Sequence, residues 1–232
     1  MNQCQYSFER AGPPLTSAGA ILIALHAKGE NLSNLAPLLA LANPGLAVYG
    51  VESNRPSRIL PRSDRAWQAD DIGRVWFLEH ETGDIEPATF GDALAQIELF
   101  LIDTMKNEAG PGSQSPQVFF YGKGQGATIA LTLLTLHPQH VSGVISLDGY
   151  LPVIPNAFDL LPRLSDHVDV SLNYGFSPSR IPDGHIQTTV EAFRQSACRL
   201  TLDDLNSGSE FPGCKIPSLL DGMRTRIRQP IS

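Results

Sequence analysis

The sequence is poor in cysteine, in basic residues and in long apolar runs. Its three cysteines, Cys4, Cys198 and Cys214, are too few and too scattered over 232 residues for a disulfide framework or a zinc cluster. Reduced thiols and a cytoplasmic location are therefore expected. No apolar run approaches the roughly 20 residues that a membrane span needs. The N-terminus also lacks the basic-then-apolar order of a signal peptide.

The charge balance excludes another class of partner. Lysine and arginine total 17 against 24 acidic residues, a formal charge of -7, whereas a nucleic-acid surface needs clustered basic residues. The six histidines show no H-x-x-x-H or H-E-x-x-H pairing, so no metal site is predicted. Dinucleotide and P-loop fingerprints are missing as well, so no cofactor is expected. The expected partner is a small-molecule ligand or substrate, and a homodimer stays an open alternative.

What is present is an alternation of short apolar runs with amphipathic stretches, which is typical of βαβ units and a largely parallel sheet. With 42% hydrophobic residues, the chain suits a single α/β domain over residues 1–232. The predicted strands are 20–25, 46–51, 75–78, 118–121, 143–147, 168–173 and 200–205. The predicted helices are 32–42, 88–105, 125–136, 185–197 and 215–227.

One long irregular segment interrupts this alternation. Residues 53–71 are rich in arginine, serine and proline. The segment is either a solvated connection or a flap over a pocket, and the sequence leaves both readings open.

The most informative segment is VFFYGKGQGATIAL, residues 118–131. An apolar run leads into Gly122-Lys123-Gly124-Gln125-Gly126 and then directly into a helical pattern. This is the context of the nucleophile elbow G-x-S-x-G, whose flanking glycines allow a tight turn between strand and helix. The middle residue, where the nucleophile is carried, is Gly124. Glycine has no side chain that could attack a substrate.

Three segments in this order resemble the phospholipase/carboxylesterase family of α/β-hydrolases, which includes acyl-protein thioesterases. Residues 21–31, ILIALHAKGEN, match its first strand and His-Gly-x-Gly-like turn, with Ala27 where the first glycine is usual. Gln125-Gly126 follows the elbow as in that family. Residues 147–152, LDGYLP, match its Leu-Ser-Gly-aromatic-Leu-Pro sequence, with Asp148 in place of serine. The resemblance implies a three-layer α/β/α fold with a mostly parallel central sheet.

The same resemblance implies that all three catalytic-triad positions are substituted. Residues 175–182, GFSPSRIP, match the family's acid loop and place Pro178 at the acid. Residues 206–212, NSGSEFP, match its Gly-His turn and place Ser209 at the histidine. With Gly124 at the nucleophile, the covalent acyl-enzyme route is closed.

The oxyanion hole of this fold survives such losses because its donors are mostly backbone N–H groups. In this sequence they belong to Gln125 and to Ala27 or Lys28. A helix N-terminus beside them favours an anion by about 0.3–1 kcal/mol. Lys123, as an electrophile or a surface residue, and Tyr150, as a hydrogen-bond donor, complete the predicted binding set.

Two further side chains are candidates for acid–base chemistry. Asp148 ends the strand after the elbow, and some hydrolases of this fold carry their acid there; the alternative is a solvated or capping turn aspartate. His185 follows the degenerate acid loop, and with Asp183 it is otherwise a capping pair at a helix N-terminus.

Three functions stay open. The first is a cofactor-free lyase, isomerase or cyclase that holds a carbonyl or carboxylate in the retained hole and moves a proton with Asp148 or His185. The second is a pseudo-hydrolase that binds a small molecule or a protein. The third is a hydrolase that uses a non-serine nucleophile such as Asp148, or an activated water.

Overall fold

The computed structural model describes residues 7–30, 36, 39–40, 44–57, 73–80, 84–108, 116–152, 164–175, 181–182 and 184–204. Within these ranges lie seven strands: β1 (Ser7–Ala11), β2 (Ala20–Leu25), β3 (Leu46–Glu52), β4 (Gln117–Lys123), β5 (Gly143–Leu147), β6 (Asp169–Tyr174) and β7 (Arg199–Asp204). The same ranges contain helices α1 (Pro87–Glu108), α2 (Gln125–Leu136) and α3 (His185–Arg194). The predicted helices 32–42 and 215–227 lie largely and wholly outside the described residues.

The strands form one sheet in the order β1-β3-β2-β4-β5-β6-β7. Strand β1 pairs antiparallel with β3, and every other pair is parallel. The predicted mostly parallel sheet is therefore confirmed. Because parallel strands end at the same edge, the loops after β2, β4, β5 and β6 meet at one edge of the sheet.

The core lies on both faces of this sheet. Strand β2 is fully buried, and its alternate side chains point to opposite faces, as a pleated strand requires. Ile21, Ile23 and Leu25 join the larger cluster, with side chains of α1, α2 and α3. The smaller cluster on the other face includes Ala36 and Leu39. No helix among the described residues combines the length and hydrophobicity needed to cross a bilayer.

The predicted strand 75–78 is wrong. Val75, Trp76 and Phe77 are buried and Leu78 is exposed, but only the flanks of the segment, Arg74 and Glu79, form isolated bridges. Two of its backbone N–H groups donate to side chains: Trp76 to Gln125 Oε1 at 3.0 Å and Leu78 to Thr89 Oγ1 at 3.0 Å. Val75 N–H donates to Arg55 O at 3.0 Å. The segment is therefore a loop, because no neighbouring strand among the described residues pairs with it along its length.

The turn between β4 and α2, residues 122–126, is closely packed against its neighbours and is called the elbow below. A Cβ at Gly126 would lie 2.5 Å from Leu25 O and 2.6 Å from His26 O. A Cβ at Gly122 would lie 2.5 Å from Ala127 Cα. Neither position admits a side chain, so α2 packs directly on the backbone of β2 and β4.

We expect Gly126→Ala to destabilise the protein strongly, because its methyl group would overlap two backbone carbonyl oxygens. Overpacking costs about 1–3 kcal/mol or more. Gly91→Ala is the matched control: a Cβ at this exposed position in α1 meets nothing within 4 Å, so the free energy of unfolding should rise by about 0.5–1 kcal/mol. Urea denaturation measures both. If Gly126→Ala unfolds at the same urea concentration as the wild-type protein, the Leu25 and His26 carbonyl oxygens do not lie this close to Gly126.

Candidate functional site

The elbow holds Gly124 in a backbone conformation that residues with a side chain rarely adopt. Gly124 has φ 53° and ψ -118°, and it is the N-cap of α2. Its N–H donates to Leu147 O at 2.8 Å, and its carbonyl accepts from Thr128 N–H at 3.0 Å. Residues are held in such sparsely populated regions mostly at functional sites. The structure thus places Gly124 at the tip of the turn, as the sequence predicts.

The neighbours of Gly124 leave space for a side chain. A Cβ built on Gly124 would find its nearest heavy atom, Ala27 Cβ, at 3.5 Å, which is ordinary van der Waals contact. Backbone conformation, rather than crowding, favours glycine here. The site therefore retains the volume that a small nucleophilic side chain would occupy.

Gln125, the first residue of α2, is buried and fastens the loop above the sheet. Its Oε1 accepts from Trp76 N–H, and its Nε2 donates to Phe77 O at 2.9 Å and to Glu79 Oε1 at 3.0 Å. Its backbone N–H is in the first turn of the helix, where no intrahelical acceptor exists. The Gln125 side chain is thus structural, while its backbone N–H is placed to bind a ligand.

The other predicted oxyanion donor, Ala27, is engaged by the chain itself. Ala27 N–H donates to Glu30 Oε2 at 3.3 Å. Glu30 Oε1 accepts from Lys123 Nζ at the end of β4. The Glu30 carboxylate therefore contacts both Ala27 N–H, in the loop after β2, and the Lys123 ammonium group in the elbow.

The loop that carries Glu30 is held in place by its neighbours. Glu30 N–H donates to Ala27 O at 3.1 Å, and Arg74 N–H donates to Glu30 O at 3.0 Å. Gly29 adopts φ 79°, and its N–H donates to Arg74 O at 2.7 Å. These bonds fix the turn after β2, so the Glu30 carboxylate returns towards Ala27.

A second ion pair lies beside the first. Lys28 Nζ contacts Glu79 Oε2 at 2.6 Å, and the other oxygen of Glu79 accepts from Gln125. The sequence does not single out Glu79, which lies 51 residues from Lys28 and 46 from Gln125. Only the fold brings these residues together. Lys28 and Lys123 are therefore each neutralised by a carboxylate.

His26 is buried, and both of its ring nitrogens form hydrogen bonds. Its Nδ1 lies 2.8 Å from Ala27 O and its Nε2 accepts from Ser53 N–H at 3.2 Å, a pattern that fits the neutral ring with the proton on Nδ1. The ring stacks on Trp76 with centroids 4.9 Å apart. Burial lowers the pKa of His26 below its ordinary value of 6.5.

Asp148 is buried rather than solvated. It has φ 53°, the one positive φ of a non-glycine residue among those described. Its Oδ1 accepts from Gly175 N–H at 2.8 Å, and its own N–H donates to Asn173 O at 2.8 Å. The carboxylate therefore links the ends of β5 and β6, and the strained backbone marks it as a position under a functional or structural constraint.

Tyrosine side chains and His185 lie near this end of the sheet. Tyr150 packs edge-to-face against His185, with ring centroids 5.0 Å apart. Burial raises the pKa of Tyr150, and the Glu79 and Asp84 carboxylates raise it further. Burial, then the Asp148 charge, raises the pKa of Tyr174, whose hydroxyl is buried without a partner among the described residues. Both phenols therefore stay protonated and act as hydrogen-bond donors at neutral pH.

Two predicted positions, Pro178 and Ser209, lie outside the described residues, as do residues 58–71 of the predicted flap. Their substitution of the triad acid and histidine stays a prediction. In the described ranges, no group of three or more His, Cys, Asp or Glu side chains is arranged to hold a metal ion.

We expect the burial of His26 to make stability depend on pH. The unfolded chain binds a proton near pH 6.5, whereas the folded chain does so only at lower pH. Lowering the pH below 6.5 therefore favours unfolding, by up to about 1.4 kcal/mol per pH unit. His26→Gln should flatten the pH dependence of the free energy of unfolding, whereas His140→Gln, at an exposed position, should not. Equal slopes for both variants would contradict this account.

Comparison with known proteins agrees with this geometry. Residues 20–213 match the phospholipase/carboxylesterase family. A carboxylesterase from Bacillus cereus superposes with a TM-score of 0.71 at 16% identity, covering 96% of this chain and 95% of the other. A carboxylesterase from Mesorhizobium loti gives 0.67 at 18% identity, covering 94% and 95%. Acyl-protein thioesterase 2 from Zea mays gives 0.57 at 16% identity, covering 93% and 98%.

The comparison with curated proteins finds no significant match. At these identities the superpositions establish the fold, and the family match covers most of the chain. The predicted α/β-hydrolase fold is confirmed, and the chain belongs to the phospholipase/carboxylesterase family.

Proposed function

We propose that the protein is a pseudo-hydrolase that binds a small carbonyl- or carboxylate-bearing molecule above the elbow without hydrolysing it. The observation that carries the proposal is Gly124, at the nucleophile position with the elbow backbone intact. The site has lost the atom that would attack a substrate and has kept the geometry that would receive one. Such a combination suits binding without covalent chemistry.

The charges around the elbow support the same function. In a hydrolytic transition state the hole must accept a developing oxyanion. Here Ala27 N–H already donates to the Glu30 carboxylate. A second negative charge at the same donor is disfavoured, so stabilisation of an oxyanion is impaired even where a nucleophile could be supplied. A neutral carbonyl oxygen brings no second charge to this donor, so binding of a carbonyl group is less affected than stabilisation of an oxyanion, whereas a carboxylate ligand has to replace Glu30.

A second candidate function is proton transfer on such a ligand, favoured by Asp148. Its burial and its φ of 53° are what an acid–base residue held in a fixed orientation would show. Protonated Tyr150 and Tyr174 would supply hydrogen bonds to a carbonyl oxygen. In this case the protein is a lyase, isomerase or cyclase rather than a hydrolase.

We expect the wild-type protein neither to hydrolyse p-nitrophenyl acetate above the buffer rate nor to react with a fluorophosphonate probe. Gly124→Ser should not restore either reaction, because the positions matched to the triad acid and base are Pro178 and Ser209. In a triad, the loss of one member costs nearly as much as the loss of all.

Gly124→Ala is the matched control, since it adds a Cβ at the same φ of 53° without a hydroxyl group. Both variants should lose about 1–3 kcal/mol of stability from backbone strain. Stoichiometric fluorophosphonate labelling of any serine in the wild-type protein would refute the proposed function. Labelling of Gly124→Ser alone would show that another residue already acts as the base.

The proton-transfer candidate predicts that the protein accelerates deuterium incorporation into pyruvate or another small 2-oxo acid in D₂O, followed by NMR. Asp148→Asn should reduce that rate by about 10²–10⁴-fold. Asparagine tolerates positive φ and keeps an acceptor for Gly175 N–H, so the fold should persist. Asp166→Asn, at an exposed position, should leave the rate unchanged. A wild-type rate equal to that of buffer would eliminate this candidate.

A further inference from the structure

The Glu30 carboxylate bridges two donors beside the elbow. Its two carboxylate oxygens contact two donors from different parts of the chain: Ala27 N–H in the loop after β2, and Lys123 Nζ at the end of β4. A planar group with two oxygens is the arrangement that satisfies both donors at once. The Glu30 side chain therefore occupies a position beside the elbow where the carboxylate of a ligand could make the same two contacts.

This position adjoins the space left by the missing nucleophile. The nearest heavy atom to a Cβ built on Gly124 is Ala27 Cβ, at 3.5 Å. Ala27 thus borders the vacant volume with its side chain and holds Glu30 with its N–H. A ligand in that volume would reach the same N–H only by replacing the Glu30 carboxylate.

The contacts of Glu30 are of the kind that a ligand can replace. The side chains of Glu30 and Lys123 are 44% and 35% exposed, and ion pairs at such exposure are screened by water and contribute little. The bond to Ala27 N–H, at 3.3 Å, is longer than the 2.7–3.2 Å typical of N–H···O bonds. Glu79 is more firmly held: its side chain is 23% exposed and accepts from both Lys28 and Gln125.

We infer that Glu30 determines ligand specificity and affinity by competing for a carboxylate site between Ala27 N–H and Lys123. The site accepts carboxylate ligands, and it binds them weakly as long as Glu30 occupies the position. The inference rests on the proposed ligand-binding function and adds to it the chemical class of the ligand and the residue that limits its affinity.

Acetate is the simplest probe of this competition. We would titrate isotopically labelled protein with sodium acetate at constant ionic strength and follow the Ala27 amide signal by NMR. Glu30→Ala vacates the position and should lower the dissociation constant of acetate by about three- to tenfold. Glu30→Gln leaves a neutral acceptor and should give an intermediate value. Amide hydrogen exchange at Ala27 should be faster in Glu30→Ala before acetate is added.

Two controls separate local competition from a change in net charge. Glu9→Gln removes the same charge at an exposed position on β1 and should leave acetate affinity within about twofold of wild type, because salt screens distant charges. Adding Lys123→Met to Glu30→Ala should abolish the gain, since the carboxylate then loses its cation. If Glu30→Ala does not fold, Glu30→Gln provides the same comparison.

Equal acetate affinity in wild type and both Glu30 variants would overturn the inference, and so would an Ala27 signal that does not respond to acetate in any of them. Neither result would bear on hydrolysis, which fluorophosphonate labelling tests separately. The failure of this inference and the failure of the proposed function are therefore distinguishable.

Discussion

The close approach of three backbone segments at the elbow is the constraint on which the site depends. Gly122 and Gly126 let α2 lie directly against the ends of β2 and β4, with no room for a Cβ at either glycine. This contact fixes the φ and ψ of Gly124 and directs the first turn of α2 towards the loop after β2. It also buries Gln125, whose side chain then fastens the loop over the sheet. The two flanking glycines therefore maintain the geometry of the elbow whichever residue stands between them.

Sequence patterns predict the central part of this structure well and its edges less well. Strands β2 and β5 and helix α2 have the predicted bounds, because each is an apolar run with glycine or proline close to at least one of its ends. Strand β1 is missed because its five residues are largely exposed and carry no apolar alternation. Residues 75–78 show the opposite error: three of the four apolar residues are buried, yet the Trp76 and Leu78 N–H groups donate to side chains of Gln125 and Thr89 instead of pairing with a strand.

The sequence predicts where in the fold the candidate site lies, but not which of its side chains contact one another. The sequence identifies Ala27, Lys123 and Gln125, but it cannot show that the Glu30 carboxylate engages the first two, since that depends on how the loop after β2 meets the elbow. Asp148 is placed correctly at the end of its strand, whereas its bond to Gly175 depends on the neighbouring strand. The oxyanion hole expected to be open is thus partly filled by the protein itself. That occupancy is the basis of the proposal that the site binds carboxylates weakly and without covalent chemistry.

The central claim is that this member of the family binds ligands only non-covalently. Mass spectrometry of the purified protein under native and then denaturing conditions, after incubation with an activated acyl ester, tests it most directly. Any mass of bound ester seen under native conditions should disappear on denaturation, because Gly124 has no side-chain atom that could form an acyl bond. An acyl adduct that survives denaturation and maps to a residue beside the elbow would contradict it.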